Sequence, residues 1–178
     1  GTTRDRFEAD CLWRGHVIRL IDTGGLDANR LNEIEANIIE QAEIAIKEAD
    51  AIFFVVDLTA PPSPDDFTIA NKLKILKKPV IVLGNKADNA AIRKSITDSA
   101  WRAWPLELPL PVSAKQGVGV GDVLEVATEV LTKANIPPAP IETISPMRVA
   151  VFGEPNVGKS TLLNSVLGKK RFITANLP

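Results

Sequence analysis

The chain has 178 residues, 45% of them hydrophobic and 24% charged, with a formal net charge of −1, enough for one domain with a proper core. That charge argues against nonspecific electrostatic binding to nucleic acid, although it is compatible with a local basic patch. The single cysteine, Cys11, excludes an internal disulfide and suits a reducing cytoplasm, and no apolar run approaches the ~18 residues that cross a bilayer.

Taken in order, Phe7 to Trp13 and His16 to Ile21 flank Arg14-Gly15 and predict a β-hairpin. Cys11 and the only histidine, His16, belong to that strand pair rather than to a nucleophile–base couple. The second strand runs into Asp22-Thr23-Gly24-Gly25. An acidic residue at a strand end, followed by glycines, can bring a carboxylate to Mg²⁺ and a backbone N–H to a terminal phosphate. D-x-x-G alone is a common turn; the apolar strand before it gives it weight. From Asn32 to Ala49, Ile34, Ile38, Ile39, Ala42, Ala45 and Ile46 recur at a helical period.

Ala51 to Val56 is a continuous apolar run ending in Asp57, as a strand buried on both faces requires. A proline-rich loop at 61–64 leads to a helix from Asp65 to Leu76, with Phe67, Ala70, Leu73 and Leu76 expected inward. Pro79 to Leu83 is a second buried strand, leading into Gly84-Asn85-Lys86-Ala87-Asp88. In N-K-x-D at this place, an aspartate can accept two N–H bonds from guanine's N1 and 2-amino group, which adenine cannot supply. The plainer reading is a capped helix start, with Asp88 or Asn89 as N-cap.

A helix is expected over 90–103, with Trp101 and Trp104 as core or docking aromatics. Leu106 to Val112 reads as an irregular or edge strand, given prolines at 105, 109 and 111. Ser113-Ala114-Lys115 and a mobile-looking glycine-rich stretch to Gly121 follow, then a helix from Val123 to Ala134. Residues 135–146 carry four prolines and read as a semi-rigid linker that can reach up to ~40 Å.

The stretch that organises the chain comes near its end. Arg148 to Phe152 is an apolar strand, Gly153-Glu154-Pro155-Asn156-Val157-Gly158-Lys159-Ser160 follows, and Thr161 to Leu167 reads as a helix. Strand, G-x-x-x-x-G-K-S, helix is the setting of a phosphate-binding loop. Glycines let backbone N–H groups turn inward around a phosphate, and the helix aims its positive end at the same anion. Lys159 can reach β/γ-phosphates and the Ser160 hydroxyl can ligate Mg²⁺.

Together these motifs resemble a G domain of the translation-factor-related GTPases. Gly153 to Ser160, Gly1-Thr2-Thr3-Arg4-Asp5 and Asp22 to Gly25 resemble the Der (EngA) family, with TrmE and Era as relatives. The resemblance implies an α/β, three-layer P-loop GTPase fold, with a mostly parallel sheet and one antiparallel edge strand. It further implies GTP hydrolysis to GDP and phosphate, Mg²⁺ as cofactor, and association with ribosome assembly through ribosomal RNA or protein. On this resemblance Gly153, Glu154, Pro155, Asn156, Val157, Gly158, Lys159, Ser160 and Thr161 hold the phosphates. Asn85, Lys86 and Asp88 serve the guanine, supported by Ser113, Ala114 and Lys115. Ser160, Thr3 and Asp22 serve Mg²⁺, Gly25 senses the γ-phosphate, and Asn156, Lys159, Thr3 and Gly25 form the catalytic set. Leu26 stands where many GTPases have a water-orienting glutamine. Relatives without it use K⁺ held in part by the P-loop asparagine, here Asn156, so K⁺-stimulated turnover is implied.

The order departs from the family, because the P-loop comes last. Asn176-Leu177-Pro178 would run on into Gly1 to Asp5 within switch I. One account is a single G domain over 1–178, circularly permuted within switch I: body 1–134, linker 135–146, and P-loop unit 147–178. The other is a piece of a tandem protein cut between equivalent points of two repeats; the start at Gly1 and the lone Met147 suit an excised or a rearranged chain alike. The expected state is a cytoplasmic monomer closed within one chain, with a domain-swapped dimer as the variant. A cut switch I would slow hydrolysis, leaving a nucleotide-gated binding module as the alternative.

Overall fold

The computed structural model describes residues 7–22, 44–136, 147–154 and 156–167. Among these, β1 (Phe7–Trp13) and β2 (His16–Asp22) form the expected hairpin, with Trp13 opposite His16. Arg14 and Gly15 both take positive φ, 46° and 80°, the twist that a two-residue connection needs to match the strands. Residues 44–48 are helical (α1); the rest of the helix expected over 32–49 lies outside the described residues.

β3 (Ala51–Asp57), α2 (Pro64–Lys74) and β4 (Val80–Asn85) follow. α3 (Ala90–Lys94) is only five residues long, β5 (Leu110–Pro111) two, and α4 spans Val120–Lys133. β6 (Met147–Phe152) and α5 (Lys159–Leu167) close the order. The sheet runs β1-β2-β6-β3-β4-β5, parallel except for the β1 edge.

β6 therefore lies inside the sheet. Ile18–Asp22 pairs with Met147–Val151 on one side, and Ala51–Phe54 with Val149–Phe152 on the other. The expectation of strands buried on both faces holds here. Phe53 and Val55 join one core with Leu124, Leu131, Leu162 and Leu163 of α4 and α5; Phe54 and Val56 join the other with Ile69 and Leu73 of α2. Each Phe contributes about 2–3 kcal/mol by leaving water. Helices thus cover both faces of the sheet, in three layers.

Four local expectations are corrected. The helix over 90–103 breaks up into α3 and two 3₁₀ turns, 95–97 and 99–101. Ser95 and Thr97 hydroxyls bond back to the carbonyls of Ile92 and Lys94, and Asp98 is extended; such side-chain bonds compete with the helix. The strand over 106–112 does lie at the sheet's edge, as expected, but is only Leu110–Pro111 long, because prolines remove ladder donors. The inner face of α2 is Ile69, Ala70 and Leu73 with Asp66, while Phe67 is half-buried. The stretch 116–121 is a tight turn rather than a loose loop: Ser113 bridges Val118, and Gly119 (φ +79°) starts α4 three residues early.

Trp101 and Trp104 are core aromatics. Trp104 stacks on Phe54 at 5.9 Å and meets Trp101 and Phe67 edge-on. At the far side, the Lys78 ammonium caps the end of α1, donating to the carbonyls of Ile46, Lys47 and Ala49.

Candidate functional site

The C-terminal ends of the parallel strands β2, β6, β3 and β4 lie at one end of the sheet, and among the described residues Asp22, the G-x-x-x-x-G-K-S turn and the N-K-x-D loop follow from them. The backbone leaves β6 through Gly153, whose φ of +152° and whose position explain the glycine: a Cβ there would lie 2.3 Å from the Val55 carbonyl oxygen. Asn156 is left-handed (φ +63°) and exposed, a conformation that asparagine tolerates. Gly158 (φ +97°) allows the close approach of Asn85, because a Cβ would meet the Asn85 amide nitrogen at 2.3 Å.

Lys159 opens α5 and is buried. Its ammonium donates to the carbonyl oxygens of Gly153 (3.0 Å) and Glu154 (2.9 Å), folding back over its own loop. Burial lowers its pKa from 10.5 to about 8, against the opposing pull of Asp22 and Glu154. Beside it, the Ser160 hydroxyl donates to Asp22 Oδ2 at 3.3 Å, joining residues 138 apart in the chain. Burial pushes the Asp22 carboxyl up; the Lys159 cation and the Ser160 bond pull part of it back.

Asp22 Oδ1 is buried with no hydrogen-bond partner among the described residues. An orphaned carboxylate oxygen next to a serine hydroxyl is a hard-oxygen donor set, and it fits Mg²⁺.

Asn85 ties three loops together. Its amide N–H donates to the Val157 carbonyl at 2.7 Å, and its side-chain oxygen accepts from the Ala114 N–H at 3.0 Å. The structure thus spends this side chain on bracing the phosphate loop against the Ser113-Ala114-Lys115 loop. Lys86, at φ +65°, pairs with Asp57 at 2.6 Å. Burial raises the Asp57 carboxyl, but bonds from Lys86 and Thr59 outweigh it and leave the pKa below the ordinary value.

Ser113 donates to Asp88 Oδ1 at 2.5 Å, and Asn89 caps α3 by accepting from the Ile92 N–H. The capping reading of this stretch is therefore satisfied by Asn89, which leaves the other Asp88 oxygen for a different task. Lys115 is exposed. Thr161 is half-buried in the first turn of α5. Thr3, Gly25 and Pro155 lie outside the described residues.

Sequence reasoning missed two braces. Asp57 faces Asn85 in the β3–β4 register and holds Lys86; an acidic residue ending a buried strand was the available signal. Ser63 donates to Glu154 at 2.7 Å while capping α2, and Ser-x-x-Asp at 63–66 was the visible half of that arrangement.

A mostly parallel sheet whose central strand passes through G-x-x-x-x-G-K-S into a helix, with N-K-x-D and S-A-K loops beside it, is the arrangement of a P-loop GTPase domain. The sequence model of the 50S ribosome-binding GTPase family matches residues 1–86 and 148–178, and the chain belongs to that family. It is 42% identical to GTPase Der of Symbiobacterium thermophilum over 181 residues, covering 100% of this chain and 37% of that protein. With GTPase Der of Pelotomaculum thermopropionicum it shares 41% over 178 residues, 100% and 39% of the two chains; with that of Lactobacillus johnsonii, 44% over 178 residues, 99% and 39%. The resemblance to Der read from the motifs is borne out. The chain spans less than two-fifths of the length of these relatives. Each match takes in essentially the whole chain.

Among solved structures, Era in complex with MgGDPNP and nucleotides 1506–1542 of 16S ribosomal RNA aligns with a TM-score of 0.67 at 25% identity, covering 82% of this chain and 48% of that one. No helix among the described residues is long and apolar enough to cross a membrane.

Proposed function

We propose that this chain binds guanine nucleotides and hydrolyses GTP to GDP and phosphate. The observation that carries the reading is the convergence, at one end of the sheet, of Lys159, the Ser160–Asp22 pair and the Asn85 bracket. Asp88 takes the guanine through its oxygen not engaged by Ser113. Lys86, Ser113, Ala114 and Lys115 shape the base pocket, and Asn85 acts by fixing the distance between base loop and phosphate loop. Gly153 to Thr161 cradle the phosphates. Entry of a diphosphate draws the Lys159 ammonium off the Gly153 and Glu154 carbonyls onto phosphate oxygens. Ser160, Thr3 and Asp22 would hold Mg²⁺, which would supply positive charge to the β- and γ-phosphates.

With leucine at position 26, no side chain there can orient a water molecule. K⁺, held in part by Asn156, would instead supply positive charge against the developing phosphate charge, with Gly25 sensing the γ-phosphate. In domain terms, 1–134 form the body and 147–178 supply the phosphate loop across linker 135–146. They make one G domain, permuted within switch I and closed inside a cytoplasmic monomer. The description of the matching family, a 50S ribosome-binding GTPase, and the Era–RNA complex support a ribosomal RNA or protein partner.

Melting curves with GDP, GTP and ATP test the binding step. A ligand at 100 times its Kd adds about 2.7 kcal/mol, and guanine nucleotides alone should do so. Phosphate release in KCl and NaCl tests the rest: equal rates refute the K⁺ role, and tight binding without release makes this a nucleotide-gated binding module. A dimer by light scattering would replace intrachain closure with a swap.

A further inference from the structure

We propose that Ser63, in the loop between β3 and α2, is a positioning residue for the phosphate loop, acting through Glu154. Three bonds make the case. The Ser63 oxygen accepts from the Asp66 N–H at 3.0 Å, and Asp66 Oδ2 accepts from the Ser63 N–H at 2.9 Å. This reciprocal box fixes the serine rotamer at the head of an eleven-residue helix. A hydroxyl has one proton to give, and here it goes to Glu154 Oε1 at 2.7 Å, across 91 residues of chain.

The acceptor is a carboxylate, so the bond belongs to the stronger, charge-assisted kind. Glu154 directly follows Gly153, and its carbonyl is one of the two that hold Lys159. Ser63 thus fixes the β6 side of the loop, as Asn85 fixes the α5 side through Val157. A loop held at both sides keeps its amides in place before any phosphate arrives, and affinity gains from that preorganisation.

This deepens the nucleotide reading above and rests on it for its effect on affinity, but the brace is measurable without ligand. Ser63→Gly removes the hydroxyl and costs the helix cap only a few tenths of a kcal/mol. In the nucleotide-free chain, amide exchange across 153–158 should quicken about tenfold, the scale of one hydrogen bond to a charged group, while 64–74 stays within about twofold. The Kd for GDP should rise about tenfold, Ser63→Thr should restore both readouts, and Glu154→Ala should add little to Ser63→Gly in a double-mutant cycle. Unchanged exchange over 153–158 in Ser63→Gly, or fully additive effects of the pair, overturns the proposal. If the unaltered chain binds no GDP, the nucleotide reading falls while the exchange comparison still decides the brace.

Discussion

Lys159→Met separates what the lysine does for the ligand from what it costs the fold. Lys159 is 8% exposed, and burial takes its pKa from 10.5 to about 8. At 1.36 kcal/mol per pH unit, keeping the charge in the folded state at pH 7 costs about 3 kcal/mol. Methionine removes that cost but leaves two carbonyls, Gly153 and Glu154, without their donor, at about 1 kcal/mol each. The nucleotide-free variant should therefore be more stable than the natural chain by about 1 kcal/mol, or about 2–4 °C in Tm.

The sign of the pH dependence follows from the lowered pKa. The unfolded chain binds the lysine proton more tightly, so the penalty is full below pH 8 and fades between pH 8 and 10.5. Over that window the natural chain should gain on the variant by up to about 3 kcal/mol and overtake it. Calorimetry of both proteins at pH 7 and pH 10, without nucleotide, is the measurement. At the same time GDP affinity should drop more than about 100-fold, the loss of two charge-assisted bonds. A variant less stable than the natural chain at pH 7, or a stability difference that does not move with pH, would falsify the buried-charge argument.

Other consequences are as direct. Gly158→Ala places a Cβ on the Asn85 amide and strains a φ of +97°, so it should cost about 2–3 kcal/mol by urea denaturation and weaken GDP binding with it. In Asp88→Asn the amide oxygen stays with Ser113 and an N–H donor faces guanine's N–H groups; calorimetric titration should show GDP affinity reduced at least about 100-fold, with folding stability nearly unchanged. Lys78→Met leaves the carbonyls of Ile46 and Lys47 in α1, and of Ala49 just beyond it, without their cation. It should cost about 1–2 kcal/mol and speed amide exchange over 44–49, with GDP affinity as the unaffected control.

Much of this domain could be read directly. The hairpin, the two-faced strands at 51–57 and 80–85 and the G-x-x-x-x-G-K-S turn all follow from apolar period and turn chemistry, which act over a few residues. Where hydroxyl back-bonds and prolines compete with a weak apolar pattern, at 90–112, local reading overestimated both a helix and a strand. The glycines of the phosphate loop were legible as glycines, but their reasons, the Val55 carbonyl behind Gly153 and the Asn85 amide behind Gly158, were not.

The sequence by itself determined which polar groups stand after apolar strands: G-x-x-x-x-G-K-S after 148–152, N-K-x-D after 79–83 and the Asp22 carboxylate after 16–21. Only the tertiary structure decided how they meet. β6 takes the slot between β2 and β3 because its residues are apolar towards both faces and need neighbours on both sides. That placement sets Ser160 on Asp22, Asn85 on Val157 and Ser63 on Glu154, across 138, 72 and 91 residues. No local period encodes such pairings; they exist because burying one strand brings every loop at its end into hydrogen-bonding range.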